Sequence, residues 1–250
     1  MDATHRPLSV EKLIERQVRF WELQRQPGKE KERPGRGKSG AVYFGPYLLI
    51  SREAGAGGRT AAAMVGERLK WQVFDRQIVD EIARRAKIRQ QLIQSLDERC
   101  RGGLEEFIRD FLGHESLAPG DYLYHLKQVL LTLGHQGNVV IVGRGAEYVL
   151  PSQFGLRVWM VAPLDVRIER VCKVQGLSVE AARAQIEQVD SERRKFMRSH
   201  YQRQARNPLD YDLVLNTGFL TAEETVGILL AALESKLGVS ATKLPAAIAR

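Results

Sequence analysis

The chain has 250 residues, of which 44% are hydrophobic and 27% charged, as in a soluble globular protein with one sizeable core. Two distant cysteines, Cys100 and Cys172, exclude a disulfide framework and favour a cytoplasmic setting, while no apolar run reaches the roughly 18–20 residues of a membrane span. The net charge of +8 is concentrated in residues 1–44 (net +4) and residues 191–206 (net +5), which excludes an extended nucleic-acid surface.

Residues 1–44 are predicted to lie outside the main folded domain. Apolar residues at helical spacing over residues 8–24 predict an amphipathic helix that begins near Ser9. Glycine, proline and charge dominate residues 25–40, which predicts a flexible basic linker. A weak contact of this segment with RNA or an acidic partner is one interpretation, and a solvated tail is the other. We place the folded domain at residues 45–238 and a C-terminal tail at residues 239–250.

Strand-like and helical segments alternate along residues 45–238. Short apolar runs predict strands at residues 47–51, 72–75, 138–143, 156–162 and 211–217. Helices are predicted at residues 60–70, 76–86, 89–100, 104–112, 122–137 and 164–176, in two stretches over 178–206, and at 221–237. This alternation predicts an α/β fold with a parallel sheet of about five strands and helices on both faces. Ligands of such sheets bind at the carboxyl ends of the strands.

A glycine-rich stretch, "SREAGAGGRT" at residues 51–60, lies at that edge between the first strand and its helix. Gly55, Gly57 and Gly58 allow the backbone to bend so that successive N–H groups face an anion. The helix that follows adds the positive end of its dipole. The stretch therefore has the physical properties of a phosphate-binding loop.

Its side chains depart from the G-x-x-x-x-G-K-[ST] pattern at two positions. Glu53 stands at the first glycine and Arg59 at the lysine. Arg59 can hold phosphate oxygens in a planar fork, and Thr60 can offer its hydroxyl to Mg²⁺. The alternative is a glycine-rich turn with a solvated Arg59.

The basic stretch at residues 191–206 suggests a second group of phosphate ligands. Arg194 and Arg198 are four residues apart and share one face of a helix. Like charges at this spacing destabilise a helix by roughly 0.2–0.5 kcal/mol, a cost that becomes a gain when polyanionic phosphates bind between them. A solvated basic helix face is the alternative. The weaker candidates in the same stretch are Arg193, Arg203 and Arg206.

Six segments together resemble the cytidylate kinase-like family, a branch of the P-loop nucleoside monophosphate kinases. They are residues 50–62, 71–83, 139–150, 158–171, 189–196 and 207–220. The most specific motifs are "GAGGR" in the loop, "VGRGA" at residues 142–146 and "YDLVLNT" at residues 211–217. The resemblance covers about residues 46–235, and an arginine at Arg59 is usual in this branch.

The resemblance implies a three-layer P-loop NTPase fold with a helical acceptor-binding insertion at about residues 76–135 and a lid at about residues 178–206. The residues that it implies for binding the ATP triphosphate are Gly55, Ala56, Gly57, Gly58, Arg59 and Thr60. Thr60 would also hold Mg²⁺. Arg59, Arg194 and Arg198 are the implied catalytic residues.

The implied acceptor-binding residues are Asp75 and Arg144. Arg144 matches the arginine of the G-R-D motif of true cytidylate kinases, but Gly145 replaces the aspartate, and Glu147 is a candidate substitute for that carboxylate. On the alternative interpretation Asp75 is a helix N-cap and Arg144 a surface residue at a strand end.

The implied reaction is transfer of the γ-phosphoryl group of ATP to a nucleoside monophosphate, CMP or dCMP first among them. The implied partners are therefore nucleotides, with no membrane. A non-catalytic nucleotide sensor is the alternative function, motivated by Glu53 in the loop and by Gly145 in place of the aspartate.

Overall fold

The computed structural model describes residues 42–94, 96, 98–114, 117–118, 120–203 and 207–239. The predicted N-terminal helix and linker, and the predicted tail beyond residue 239, lie outside these described residues. What is described falls into two compact units. The sheet unit lies within Gly45–Asp75 and Gly137–Arg250, and the helical unit within Met1–Phe44 and Arg76–Gln136.

The sheet unit contains one five-stranded sheet in which every neighbouring pair of strands is parallel. The strands are β1 (Tyr47–Arg52), β2 (Gln72–Phe74), β3 (Val139–Val142), β4 (Gly155–Val161) and β5 (Leu213–Asn216), and their order across the sheet is β2-β3-β1-β4-β5. The central strand β1 is paired with β3 on one side and β4 on the other, so that Ile50 lies between Val142 and Val158. The predicted parallel sheet of five strands is confirmed.

Eight α-helices lie among the described residues. They are α1 (Gly58–Leu69), α2 (Arg76–Arg84), α3 (Ala86–Gln94), α4 (Glu98–His114), α5 (Tyr122–Gln136), α6 (Leu164–Gln175), α7 (Val179–Tyr201) and α8 (Ala222–Leu237). In this part of the chain no helix combines the length and the apolar content that crossing a bilayer requires.

The core of the sheet unit explains why its strands are continuously apolar. Leu48 and Ile50 belong to a buried cluster with small residues of α1, among them Ala61 and Ala62, and with apolar residues of α8. Alternate residues point to the opposite face of a strand, and Leu49 there is only 2% exposed. Because both faces of the sheet are buried, a period-two pattern is absent and uninterrupted apolar runs appear instead.

The helical unit consists of α2 to α5 in the described part of the chain. Its interior holds Val79, Ile82, Leu92, Leu104, Ile108, Leu112, Leu126 and Leu130, all nearly fully buried. Tyr122 at the start of α5 donates a hydrogen bond to Asp80 of α2 (Oη to Oδ1, 2.6 Å). These apolar positions recur at helical spacing, as expected for amphipathic helices that bury one face.

Helix boundaries were predicted wrongly in two regions of the chain, residues 86–114 and residues 178–206. The helix predicted at residues 89–100 spans the end of α3 and the start of α4, with buried Leu96 between them. The Arg101 guanidinium donates to the carbonyls of Gln94 (3.1 Å) and Leu96 (3.3 Å), and so it satisfies acceptors at the break. The two stretches predicted over residues 178–206 are one helix, α7, which Ser178 caps by accepting a hydrogen bond from the Ala181 N–H.

Candidate nucleotide-binding site

The glycine-rich loop joins the central strand β1 to α1 at the carboxyl edge of the sheet. After β1 the chain forms β2 and β3 on one side of it, and then β4 and β5 on the other side. The carboxyl end of β1 is therefore a topological switch point, the place where α/β proteins bind ligands. We call residues 53–60 the phosphate loop. Gly57 is the N-cap of α1 and offers no side-chain cap, and the first turn of α1 contains no acidic residue. The positive end of α1 is therefore open to an anion.

The glycines of the loop are required for two different reasons. Gly55 and Gly57 have positive φ angles of 81° and 79°, a conformation that favours glycine. A Cβ on Gly55 would also lie 2.8 Å from the carbonyl oxygen of Arg167, and one on Gly58 would lie 2.9 Å from Cγ of Arg52. Around Gly57 an added Cβ would meet nothing within 4 Å, so the φ angle alone explains that glycine.

Arg59 and Thr60 occupy the first turn of α1, and both are exposed. The Arg59 side chain is 81% exposed, and its Nη2 lies 3.9 Å from Oδ2 of Asp75, which follows β2. Exposed ion pairs of this kind contribute roughly 0–1 kcal/mol to stability, so the Arg59 guanidinium can leave Asp75 and bind a phosphate at little cost in free energy. The structure thus places Asp75, a predicted acceptor-binding residue, beside Arg59, which is predicted to bind the ATP triphosphate.

Thr217 holds the middle of the loop from the end of β5. Its hydroxyl is 3.0 Å from the Ala56 carbonyl, to which it donates, and it accepts a hydrogen bond from Nη1 of Arg170 (3.1 Å). Thr217 is 2% exposed and Ala56 is fully buried. The threonine that ends the motif "YDLVLNT" therefore stabilises the conformation of the phosphate loop.

Glu53, which departs from the phosphate-loop pattern, faces a guanidinium. Its Oε2 lies 3.6 Å from Nε of Arg167 on α6, and both side chains are largely buried, 13% and 10% exposed. An opposite charge at this distance offsets the repulsion that an isolated carboxylate would exert on phosphates. This pairing removes one of the two reasons for expecting a non-catalytic sensor.

Arg167 and Asp190 form a buried ion pair next to the loop that the sequence did not predict. Nη1 of Arg167 donates to Oδ2 of Asp190 (2.8 Å), and Oδ1 of Asp190 accepts from the Ala54 N–H (2.9 Å). Both residues lie on amphipathic helices, where charged residues usually mark the solvated face. The sequence shows only that Asp190 and Arg193 are three residues apart on one helix. This spacing does not reveal that Asp190 also pairs with Arg167 on another helix.

The "GRG" of the second motif is a tight left-handed turn after β3. Gly143, Arg144 and Gly145 have consecutive positive φ angles of 83°, 63° and 67°. A Cβ on Gly145 would lie 2.6 Å from Cζ of Tyr201. An aspartate at this position would therefore have to displace the Tyr201 ring.

The end of α7 covers this turn. The Arg144 guanidinium carbon lies 4.5 Å from the centre of the Phe196 ring, a cation–π contact, and the Tyr201 hydroxyl donates to the Arg144 carbonyl (2.7 Å). Burial lowers the pKa of His200, and the charge of Arg144 lowers it further. Arg144 thus lies at the carboxyl edge of β3, beneath aromatic side chains of the predicted lid.

Glu147 is 8% exposed and is engaged within the protein. Its Oε1 accepts hydrogen bonds from the Ser51 hydroxyl (2.7 Å) and the Tyr211 hydroxyl (3.1 Å). Burial raises the pKa of Tyr211, and the nearby Glu147 charge raises it further. Through these hydrogen bonds Glu147 connects β1 to the segment before β5, which is a structural role.

The arginines of residues 191–206 differ in their surroundings. Arg194 and Arg198 are exposed. Arg193 is half-buried and donates to the Arg52 carbonyl through Nη1 (2.9 Å). Arg203 lies 5.7 Å from the centre of the Tyr148 ring, whereas Arg206 is outside the described residues. Among the described arginines of this stretch, Arg193, a weaker candidate from the sequence, contacts the backbone next to the phosphate loop.

Known proteins resemble the chain in sequence. Residues 48–218 match the sequence model of the cytidylate kinase-like family. The cytidylate kinase of Methanopyrus kandleri is 36% identical over 114 residues, which cover 41% of this chain and 58% of that protein. The cytidylate kinase of Pyrococcus horikoshii is 36% identical over 99 residues, 40% of this chain and 51% of that protein. The chain thus spans about half the length of the curated relatives that it matches.

A solved structure resembles the chain in fold. It is the crystal structure of an uncharacterized protein from Eubacterium ventriosum, with a TM-score of 0.53 and 18% identity over 76% of this chain and 98% of that protein. At this identity the likeness concerns the fold alone. Together with the strand order and the glycine loop after β1, it confirms the three-layer α/β P-loop fold. The family match covers well over half of the chain. The chain belongs to the cytidylate kinase-like family.

Proposed function

We propose that the protein is a nucleotide kinase that transfers the γ-phosphoryl group of ATP to a nucleoside monophosphate, with CMP and dCMP as the first acceptors to test. The observation that carries this proposal is the open N-terminus of α1. It follows two glycines with positive φ and presents the exposed side chains of Arg59 and Thr60. The family match supports the same reaction class.

The phosphate loop would bind the triphosphate of ATP. Residues Gly55, Gly57 and Gly58 would supply backbone N–H groups, and Arg59 would hold phosphate oxygens with its planar guanidinium. The Ala56 N–H, which the sequence also suggested, already donates to the Glu53 carbonyl (3.2 Å). Phosphoryl transfer needs positioning and neutralisation of charge more than covalent help, which suits this set of groups.

The residues present also fit a magnesium ion. Among the described residues there is no group of three or more His, Cys, Asp or Glu that could hold a metal. Magnesium in kinase sites is usually held by one or two protein oxygens together with phosphates and water, so a large acidic cluster is unnecessary. The exposed Thr60 hydroxyl would supply a ligand, and the bound ion would neutralise charge on the phosphates.

Asp75 and Arg144 would bind the acceptor. Arg144 now lies against Phe196, and an acceptor phosphate would replace that cation–π contact with a stronger charge pair. Arg194 and Arg198 would add positive charge around the migrating phosphoryl group when α7 approaches the nucleotides.

A panel of monophosphates incubated with ATP and Mg²⁺ tests the proposal. We expect a nucleoside diphosphate from at least one acceptor and a much lower rate for Arg59→Ala. The matched control is Arg68→Ala, at the far end of α1, where Arg68 forms an ion pair with Glu223. Absence of a diphosphate product from every acceptor would contradict the kinase assignment.

The second candidate function is a non-catalytic nucleotide sensor. Gly145 favours it, because the carboxylate of the G-R-D motif is absent and Tyr201 occupies the space it would need. A sensor would be stabilised by ATP in a thermal shift titration without turnover, since a ligand that binds only the folded state raises its stability. Product formation in the acceptor panel would rule out this alternative.

A further inference from the structure

Asp190 lies where α7 meets the phosphate loop, and its carboxylate is 6% exposed. One oxygen accepts the Ala54 N–H (2.9 Å) and the other accepts Nη1 of Arg167 (2.8 Å). Both hydrogen bonds are buried, so water does not replace them easily. A buried carboxylate is tolerated only where hydrogen bonds and opposite charges offset its lost hydration, and here a loop amide supplies part of that offset.

The charges around Asp190 balance. Arg167 lies between Asp190 and Glu53, and Nη1 of Arg193 lies 3.5 Å from Oδ1 of Asp190. The same Nη1 of Arg193 donates to the carbonyl of Arg52, the last residue of β1 (2.9 Å). Two carboxylates thus meet two guanidiniums. Through Asp190 and Arg193, α7 holds the loop at Ala54 and also at the strand end just before it.

This anchoring has two consequences for the site. The Ala54 N–H is committed to Asp190, so the amides left to face a phosphate begin after it. The exposed Arg194 and Arg198 follow Asp190 on the same helix by four and eight residues, roughly 6 and 12 Å along the axis. The contact of Asp190 with the loop therefore sets how far these arginines lie from the phosphate loop.

We propose that Asp190 is a positioning residue. It fixes the conformation of the phosphate loop and aligns the arginines of α7 with it, without touching the nucleotide. The kinetic consequence rests on the proposed function, whereas the conformation of the loop does not. A role in folding stability alone would lower the melting temperature and leave the nucleotide affinity of the folded protein unchanged.

The first measurement uses the wild type without nucleotide. Hydrogen exchange followed by ¹H–¹⁵N NMR should show the Ala54 amide exchanging at least about tenfold more slowly than in an unstructured peptide, because it is bonded to a buried carboxylate. Exchange of Ala54 at the unprotected rate would overturn the proposal. This measurement needs no variant and no catalysis.

The second measurement compares Asp190→Ala and Asp190→Asn with Glu187→Gln, which removes a charge from the exposed face of the same helix. The alanine removes both acceptors, and the asparagine keeps one. Ala54 exchange should therefore rise in the order wild type, Asp190→Asn, Asp190→Ala, and the control should match the wild type. If the alanine variant does not fold, the asparagine variant and the wild type still decide the outcome.

Nucleotide binding and turnover complete the comparison. For the folded Asp190 variants the dissociation constant of ATP·Mg²⁺ should rise about tenfold or more, and kcat should fall as well because the arginines lose their alignment. Equal ATP affinity in the Asp190 variants and the control would overturn the proposal, even if Ala54 exchange rises. If the wild type transfers no phosphoryl group, the proposed function fails, and Ala54 exchange and ATP affinity still decide whether Asp190 positions the loop.

Discussion

The ring of Tyr201 occupies the space that a side chain at Gly145 would need. Gly145 has a φ angle of 67°, and a Cβ there would lie 2.6 Å from Cζ of Tyr201, whose hydroxyl donates to the Arg144 carbonyl (2.7 Å). The glycine and the tyrosine therefore belong to one contact between the turn after β3 and the end of α7. An aspartate at position 145, as in the G-R-D motif, would not fit this contact as it stands.

We expect an aspartate at position 145 to destabilise the protein. We expect Gly145→Asp to lower the free energy of unfolding by about 1–3 kcal/mol, because the new side chain overpacks the turn. Urea denaturation measures this loss. Gly227→Asp is the control, since Gly227 is exposed on α8 and an added Cβ there meets nothing within 4 Å. An aspartate at position 145 that leaves stability unchanged would show that Tyr201 moves aside freely.

We expect ATP affinity to depend on the planar guanidinium of Arg59 and not only on its positive charge. We expect Arg59→Ala to weaken ATP·Mg²⁺ binding about 10- to 100-fold, as the loss of a charge-assisted hydrogen bond implies. Arg59→Lys should retain part of the affinity, because lysine keeps the charge and loses the planar fork. Isothermal titration calorimetry gives both values. Equal affinity in the wild type and the alanine variant would place Arg59 in the solvent.

The ion pair of Arg167 and Asp190 should be important for stability. Arg167→Met leaves two largely buried carboxylates, Glu53 and Asp190, without their shared guanidinium, and we expect a loss of about 3–5 kcal/mol in the free energy of unfolding. Denaturant unfolding at neutral pH tests this value. Arg183→Met, at an exposed position of α7, should change stability by about 0.5 kcal/mol or less. Similar losses in the two variants would contradict the assigned role of the pair.

The pKa of His200 should report the arrival of an acceptor phosphate at Arg144. Burial and the positive charge of Arg144 lower the pKa of His200 below its usual value of about 6.5. A phosphate bound to Arg144 would neutralise that charge, so the pKa of His200 should rise when CMP is added. NMR titration of the imidazole measures the pKa with and without CMP.

The control for the His200 titration is Arg144→Ala. In this variant the His200 pKa should already be higher in the absence of CMP and should then respond little to it. A His200 pKa that CMP leaves unchanged in the wild type would exclude Arg144 as the acceptor ligand.

Much of the sheet could be predicted from the sequence. The five predicted strands match β1 to β5 to within two residues at each end, because each is a short apolar run buried on both faces. The turn between β1 and α1 could also be predicted, because glycines and a helix start coincide there within ten residues. Local physics was sufficient for these features.

The features that the sequence did not predict depend on contacts between distant residues. Arg167 and Asp190 are 23 residues apart, and each resembles an ordinary charge on an amphipathic helix. Glu53 departs from the phosphate-loop pattern, and its partner Arg167 lies far away in the sequence, on α6. The break between α3 and α4 depends on where Leu96 is buried, which propensity does not show. Only tertiary structure reveals such partners.

The central claim is that the phosphate loop binds the nucleotide, and titration of ¹⁵N-labelled protein with ATP·Mg²⁺ tests it most directly. The account predicts that the largest amide shifts occur at Gly57, Gly58, Arg59 and Thr60, whose backbone forms the N-cap and first turn of α1. Gly227 on the exposed face of α8 should not shift. Saturable binding of ATP that leaves the loop amides unshifted, or no binding at all, would contradict the account.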